Sequence, residues 1–365
     1  MRWIAEALVA RGAEVTFVTG GRPLPGRMPL GCAIVQLPFV EAADPSFAVL
    51  VGADGRPLDD ALRTARSTML QDAHARARPH VVVLETFPFG RRALRFELEP
   101  LLATIEATRP RPRVVASVRD LLQRRDDPAR DAQAWAVAQR HVDEILVHGD
   151  PAFARLEETF PPAADGTVPV SYTGYVRAPA PVPAPRERAG VVIAASGGGE
   201  GLPLLRAAIA ARASSALRDA SWRVLAGGGV SDAAFASLVA EGAARGVRVE
   251  RHRADFAELL AGAHVAVTQA GYNTVLDVLV ARARSVLVPF EAHGETEQRM
   301  RAERLAAQGR AMLVRERDLS PAALARAVDL AAKMPEPAPC PYAIDGAARA
   351  AERVLALARS VTAAP

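Results

Sequence analysis

The sequence predicts two α/β domains, each built on a doubly wound parallel sheet. Three observations carry this. Short apolar runs alternate with amphipathic helical stretches along all 365 residues, the rhythm of repeated βα units. Near the middle, residues 177–186 place four prolines at every second position. Such a stretch is extended and semi-rigid, and reads as a linker. The length itself favours two domains, and half of the residues are hydrophobic, enough for two cores.

Taken in order, Trp3, Ile4, Ala7 and Leu8 share one helical face, and Gly12 ends that helix. Residues 14–19 and 33–37 read as strands. Residues 38–58 read as a long irregular loop, a kind that is often functional. A helix follows at 59–76, then a buried strand at 80–85, apolar almost throughout as in parallel sheets. Helices at 91–108 and 129–141 alternate with strands at 113–118, 144–148 and 168–173. After the linker the strands fall at 191–195, 222–226, 247–250, 265–267 and 285–289, with helices between. Beyond Met334 a proline-rich crossover leads to a last helix at 345–359. The expected domains are 1–176 and 189–333, joined by the linker 177–188 and followed by the crossover and helix 334–365. A doubly wound domain normally opens in a strand whose glycine-rich turn feeds the first helix. This chain opens in a helix, so the first sheet is expected to lack its usual first strand.

Composition narrows the function. The net charge is +4 and the pI about 9.5, which suits anionic partners such as sugar nucleotides. Lys333 is the only lysine. No dense basic block with interleaved aromatics points to nucleic acid. Cys32 and Cys340 stand far apart, which fits a reducing cytosol without disulfide or zinc framework. No apolar run reaches the ~18 residues of a membrane span, and the charged start does not resemble a signal peptide. The expected location is cytoplasmic.

The chemistry concentrates between His264 and Gln298. The strand 265–267 ends in a polar turn, Thr268-Gln269-Ala270-Gly271-Tyr272-Asn273-Thr274, which opens a helix expected to carry Asp277 in its first turn. The strand 285–289 opens into a second loop, 290–298, with His293, Gly294, Glu297 and Gln298. Both loops emerge where open α/β sheets bind ligands. A helix N-terminus there suits a phosphate. Asp277 suits a ribose diol, or compensates the helix dipole. The run Ser196-Gly197-Gly198-Gly199-Glu200-Gly201 joins a strand to a helix, so its glycines serve either a tight turn or the approach of a pyrophosphate. Gly228 lies in a similar turn. Arg253 is either a surface arginine or a diphosphate ligand. In the first half, Glu85 ends a buried strand and is a candidate general base, its pKa raised by burial. The alternative is a carboxylate satisfied by the turn that follows. Asp120 competes for the same role, and Arg119 could orient substrate. His148 is as readily structural, and His264, which begins a strand, reads as structural. His293 has no second ligand at metal spacing, so no metal is expected.

The succession strand, Gly271-x-x-Thr274, Asp277, strand, Val288-Pro289-Phe290, then Glu297-Gln298 resembles the nucleotide-sugar domain of glycosyltransferase family 28, the MurG-like group of GT-B enzymes. Arg301-Ala302-Glu303 stands where that group usually carries Asn-Ala. Residues 43–47, 85–90 and 117–120 are similar to a MurG-related bacterial group of unassigned substrate. The resemblance implies two Rossmann-like domains in the GT-B arrangement, with the last helix returning to the first domain. It implies transfer of a hexosyl group from a UDP-sugar, such as UDP-GlcNAc, to an acceptor hydroxyl, inverting and metal-independent, with no cofactor. Closure about the linker would exclude water. Glu297 replaces the first of two usual glutamines in the sugar-facing loop, which leaves the donor sugar open. The usual Gly-x-Gly-His-x-x-Arg loop is missing, with Arg2 its only remnant, and a truncated or mis-called start is expected. A GT-B epimerase and a nucleotide-sugar-binding protein without turnover are the alternatives. The acceptor is open: a small molecule, a glycan or, with peripheral membrane contact, a lipid. The chain is expected to be a monomer or a dimer.

Overall fold

The computed structural model describes residues 1–22, 28–43, 49–124, 127–178, 187–195 and 199–362. Most of the linker lies outside these. Two compact units result: Met1–Pro179 with Tyr342–Pro365, and Ala180–Pro341.

The first unit runs α1 (Arg2–Val9), β1 (Thr16–Thr19), β2 (Ala33–Gln36), β3 (Glu41–Ala42), β4 (Leu50–Val51), α2 (Asp60–Ala77), β5 (Val81–Glu85), α3 (Arg95–Ala107), β6 (Arg113–Arg119), α4 (Pro128–His141), β7 (Glu144–His148) and β8 (Val170–Tyr172). Its parallel strands form two separate sheets, β1-β2 and β5-β6-β7-β8, rather than one continuous sheet. Both sheets contribute to one core: Val18 and Val35 pack with Val82 and Leu84. Strand alternation builds two layers. Val114, Ala116, Ile145 and Val147 face the α3–α4 side, while Val115 and Leu146 meet Ile4 and Leu8 of α1. The stretch expected to be an irregular loop contains the short antiparallel pair β3–β4. Helix starts follow local chemistry. The Asp59 carboxylate accepts from the Leu62 amide at 2.7 Å, and Asp127 caps α4 just before Pro128.

The second unit runs β9 (Val191–Ala194), α5 (Leu202–Ala211), β10 (Trp222–Ala226), α6 (Asp232–Ala243), β11 (Val247–Arg251), α7 (Phe256–Gly262), β12 (Val265–Thr268), α8 (Tyr272–Val280), β13 (Ser285–Leu287), α9 (Glu297–Ala307), β14 (Met312–Leu313) and α10 (Pro321–Ala332). Its six parallel strands lie in the order β11-β10-β9-β12-β13-β14. The order reverses between β9 and β12, and ligands of such sheets bind beyond the strand ends at this switch point. Both faces are covered. Val191 and Ile193 pack with α5 and α10, while Val192 and Ala194 pack with α7 and α8.

The chain ends in α11 (Gly346–Thr362), whose Ala350, Ala351 and Val354 join α1 in the core of the first unit. No described helix is long and apolar enough to cross a membrane.

Candidate functional site

Two loops at the switch point of the second unit form the site. After β12 the chain turns through residues 269–271 into α8. Gly271 is the N-cap, and no side chain caps the helix. The first backbone N–H groups of an α-helix have no intrahelical acceptor, so this terminus offers donors and the positive end of a dipole. Neither φ nor packing demands glycine at Gly271: its φ is −64°, and an added Cβ would meet nothing within 4 Å. Open backbone is what glycine provides there. Gly199 and Gly228 meet equally open space. Both are exposed, Gly228 just beyond β10 and Gly199 in the short 3₁₀ turn Gly199–Gly201 that leads into α5. Gly201 is buried. Ser196 and Gly198 lie outside the described residues.

Helix α8 buries Tyr272, Val275, Leu276, Val278 and Leu279. Asn273, Thr274 and Asp277 occupy the other, wetter face. Asp277 is not in the first turn, as the sequence suggested. The helix starts at Tyr272, which puts Asp277 sixth, in the second turn. Asn273 and Thr274, expected in the polar turn, lie inside the helix, because it starts at Tyr272 with Gly271 as its N-cap. Gln269 is only 4% exposed, so its side chain belongs to the interior of the turn.

The second loop follows β13. His293 (φ 56°) and Gly294 (φ 75°) are consecutive left-handed residues, both exposed. A non-glycine residue held there is uncommon and gathers at functional sites. Glu295 Oε1 accepts from the amides of Glu297 at 2.5 Å and Gln298 at 3.3 Å, capping α9 through the residue before its N-cap. Gln298 then joins the two loops. Its Oε1 accepts from the Ala270 amide at 3.1 Å and the Phe290 amide at 3.2 Å. Arg301, 1% exposed, donates to the Ala270 carbonyl at 2.8 Å and lies 3.8 Å from Glu297. Glu297 is therefore engaged with α9 as well as facing the loop. At the other end of the loop Arg315 holds Glu291, keeping that carboxyl below its usual range, and the Glu291 amide donates to Glu316.

The sequence did not single out Arg301, Glu295 or the Glu291–Arg315 pair as anchors. One signal for Arg301 existed. It shares the face of α9 that buries Ala302 and Leu305, where a charged residue needs a partner.

Arg253 takes the surface-arginine form of its two readings, 41% exposed. Its guanidinium is bidentate on Asp255, at 2.8 and 2.7 Å, so its fork is occupied within the unit. The other two candidates differ from the sequence reading. Glu85 is not buried, against the expectation from its apolar strand: its side chain is 46% exposed and pairs with Arg91 at 2.6 Å. Asp120 is fully buried, and its carboxylate accepts from the Leu121 amide at 2.9 Å and the Tyr175 hydroxyl at 3.2 Å. That is a structural carboxylate's environment. His148 is buried between Ser117 (2.7 Å) and Thr173 (2.9 Å).

Comparison with known proteins fits this geometry. Residues 196–354 match the glycosyltransferase family 28 C-terminal domain. An 82-residue stretch is 37% identical to the UDP-N-acetylglucosamine–N-acetylmuramyl-(pentapeptide) pyrophosphoryl-undecaprenol N-acetylglucosamine transferase of Brucella canis, over 22% of each chain. The match thus spans about a fifth of the length of that curated relative. Among solved structures, Acinetobacter baumannii MurG aligns over 98% of this chain and 94% of its own, with a TM-score of 0.54 and 14% identity. Arabidopsis thaliana UGT89C1, complexed with UDP, aligns over 99% and 91%, with a TM-score of 0.57 and 12% identity. The calicheamicin glycosyltransferase CalG4 aligns over 99% and 89%, with a TM-score of 0.54 and 20% identity. The chain is therefore a two-domain protein of the GT-B glycosyltransferase fold. Its residues 196–354 are of the glycosyltransferase family 28 C-terminal type.

Proposed function

We propose that the chain transfers a hexosyl group from a UDP-sugar to an acceptor hydroxyl, with inversion and without a bound metal or cofactor. The observation that carries this is the uncapped start of α8, with Asn273, Thr274 and Asp277 on its open face, joined by Gln298 to a second exposed loop. A diphosphate meets free amides and a helix dipole at Gly271, with Gly199 and Gly228 as open backbone on neighbouring strand ends. Asp277 accepts from the ribose hydroxyls. His293, Gly294 and Glu297 face the sugar. In the reaction the acceptor oxygen bonds to the anomeric carbon as the bond from that carbon to the β-phosphate oxygen breaks. The departing UDP takes up the electron pair, stabilised by the amides, and the acceptor proton passes to a carboxylate of the first unit. Of the two candidates Glu85 is the accessible one.

Calorimetric titration with UDP, GDP and UDP-sugars tests the reading. One nucleotide should bind, and Asp277→Ala should weaken it. A folded protein that binds none of them overturns the proposal. Product analysis with and without candidate acceptors then reads the transfer.

A further inference from the structure

Arg301 lies beneath the candidate site with only 1% of its surface exposed. Burying a guanidinium is costly, and an apolar side chain of similar volume packs as well or better. Arg301 is therefore explained by what its charge holds rather than by the space it fills. Its Nη1 donates to the Ala270 carbonyl at 2.8 Å, and its Nη2 lies 3.8 Å from Glu297, one turn back on α9. The Ala270 amide is taken from the same helix, by Gln298 Oε1 at 3.1 Å. Residues 298 and 301 are neighbours on one helical face, so that face grips both backbone polar groups of a single residue. Ala270 is itself fully buried and stands directly before the N-cap of α8.

Peptide geometry passes this grip on to Gly271. The 270–271 bond is trans, and in a planar trans peptide the carbonyl and the following N–H point in opposite directions. Arg301 draws the Ala270 carbonyl towards the interior, which turns the Gly271 N–H outward. Gly271 is half-buried, and its N–H has no acceptor among the described residues. A cation on the carbonyl also polarises the peptide and makes its N–H a stronger donor.

We propose that Arg301 is a positioning residue for the diphosphate of the donor: it holds the Ala270–Gly271 peptide so that the Gly271 N–H faces the phosphate oxygens. Arg301 itself touches neither the nucleotide nor the reacting atoms. The ribose falls to Asp277, so the effect of Arg301 is confined to the phosphates. The inference rests on the nucleotide-sugar reading of this site.

The test is a double-mutant cycle on the full chain, read by calorimetry with UDP and with uridine, which carries base and ribose but no phosphate. Arg301→Met should weaken UDP about tenfold, a change of about 1.4 kcal/mol, and leave uridine unchanged. Arg301→Lys keeps a cation for the carbonyl and should fall between the two, which keeps the comparison readable where Arg301→Met lowers stability. Gly271→Pro deletes the N–H itself, at a φ of −64° that proline adopts without strain, and should match Arg301→Met. With Gly271→Pro in place, Arg301→Met should cost UDP little more, because the N–H it aims is gone. Thermal melts confirm that each variant is folded. Equal losses of UDP and uridine indicate general damage to the loop and overturn the proposal. Unchanged UDP affinity in Arg301→Met, or full additivity of the two substitutions, overturns it as well. The unmodified protein reports on the nucleotide reading separately: if it binds UDP that reading stands whatever the variants do, and if it binds neither ligand both fall.

Discussion

Gln298 is the most informative residue to replace, because its two halves do different work. The carbonyl Oε1 accepts from Ala270 and Phe290, at 3.1 and 3.2 Å, and so joins the turn before α8 to the loop after β13. The amide Nε2 has no partner among the described residues and, on the proposed function, is the half that would meet a donor sugar. Gln298→Ala removes both halves. Two backbone amides lose their acceptor, at about 1 kcal/mol net each, or about 2 kcal/mol in all, roughly thirtyfold in the population of the joined loops. Gln298→Glu keeps an acceptor of the same reach and removes only the donor. UDP affinity measured by calorimetry should therefore fall by about one to one and a half orders of magnitude in Gln298→Ala. In Gln298→Glu it should stay within about threefold, while discrimination among UDP-sugars changes. Thermal unfolding should follow the same order, with Gln298→Ala below Gln298→Glu. If both variants lose UDP equally, or if Gln298→Ala binds UDP like the unmodified protein, the loops are not held by this side chain.

Three further outcomes are expected. Burial, and secondarily the nearby amino terminus, lowers the His148 pKa to about 3. The unfolded chain, at ~6.5, takes up a proton that the folded one refuses, so stability should fall as pH drops from ~6.5 towards 3, by up to about 1.4 kcal/mol per pH unit; urea unfolding across that range should show the slope flatten in His148→Gln. Arg66 and Glu97 form a buried pair, 2% and 3% exposed, so Arg66→Met should cost about 3–5 kcal/mol by stranding the carboxylate, and adding Glu97→Leu should recover much of it in the same urea assay. If Glu85 is the base, Glu85→Gln should reduce turnover about 10²–10⁴-fold with UDP affinity unchanged; a loss below about tenfold would remove it from that role.

The fold was legible because its signals are local. Apolar runs such as Val81–Glu85 and Glu144–His148 need only neighbouring residues to declare a buried parallel strand, and Asp59 and Ser231 mark helix starts by side-chain capping. The site was legible only as far as it is local too. The turn at Gly271 and the loop at His293 could be placed from strand ends, but what joins them could not. Gln298 meets Ala270 across 28 residues, and Arg301 meets the same residue across 31. The exposure of Glu85 has the same origin. Its apolar strand suggests a buried carboxylate, yet it is the last residue of β5 and emerges beside Arg91. A strand-end carboxylate is exposed or buried according to what the next loop does with it. At Glu85 the loop brings an arginine; at Asp120 it brings the Leu121 amide, with Tyr175 reaching in from 55 residues away. The two carboxylates end adjacent strands and read alike in sequence, and only the chain folded around them separates an accessible group from a structural one.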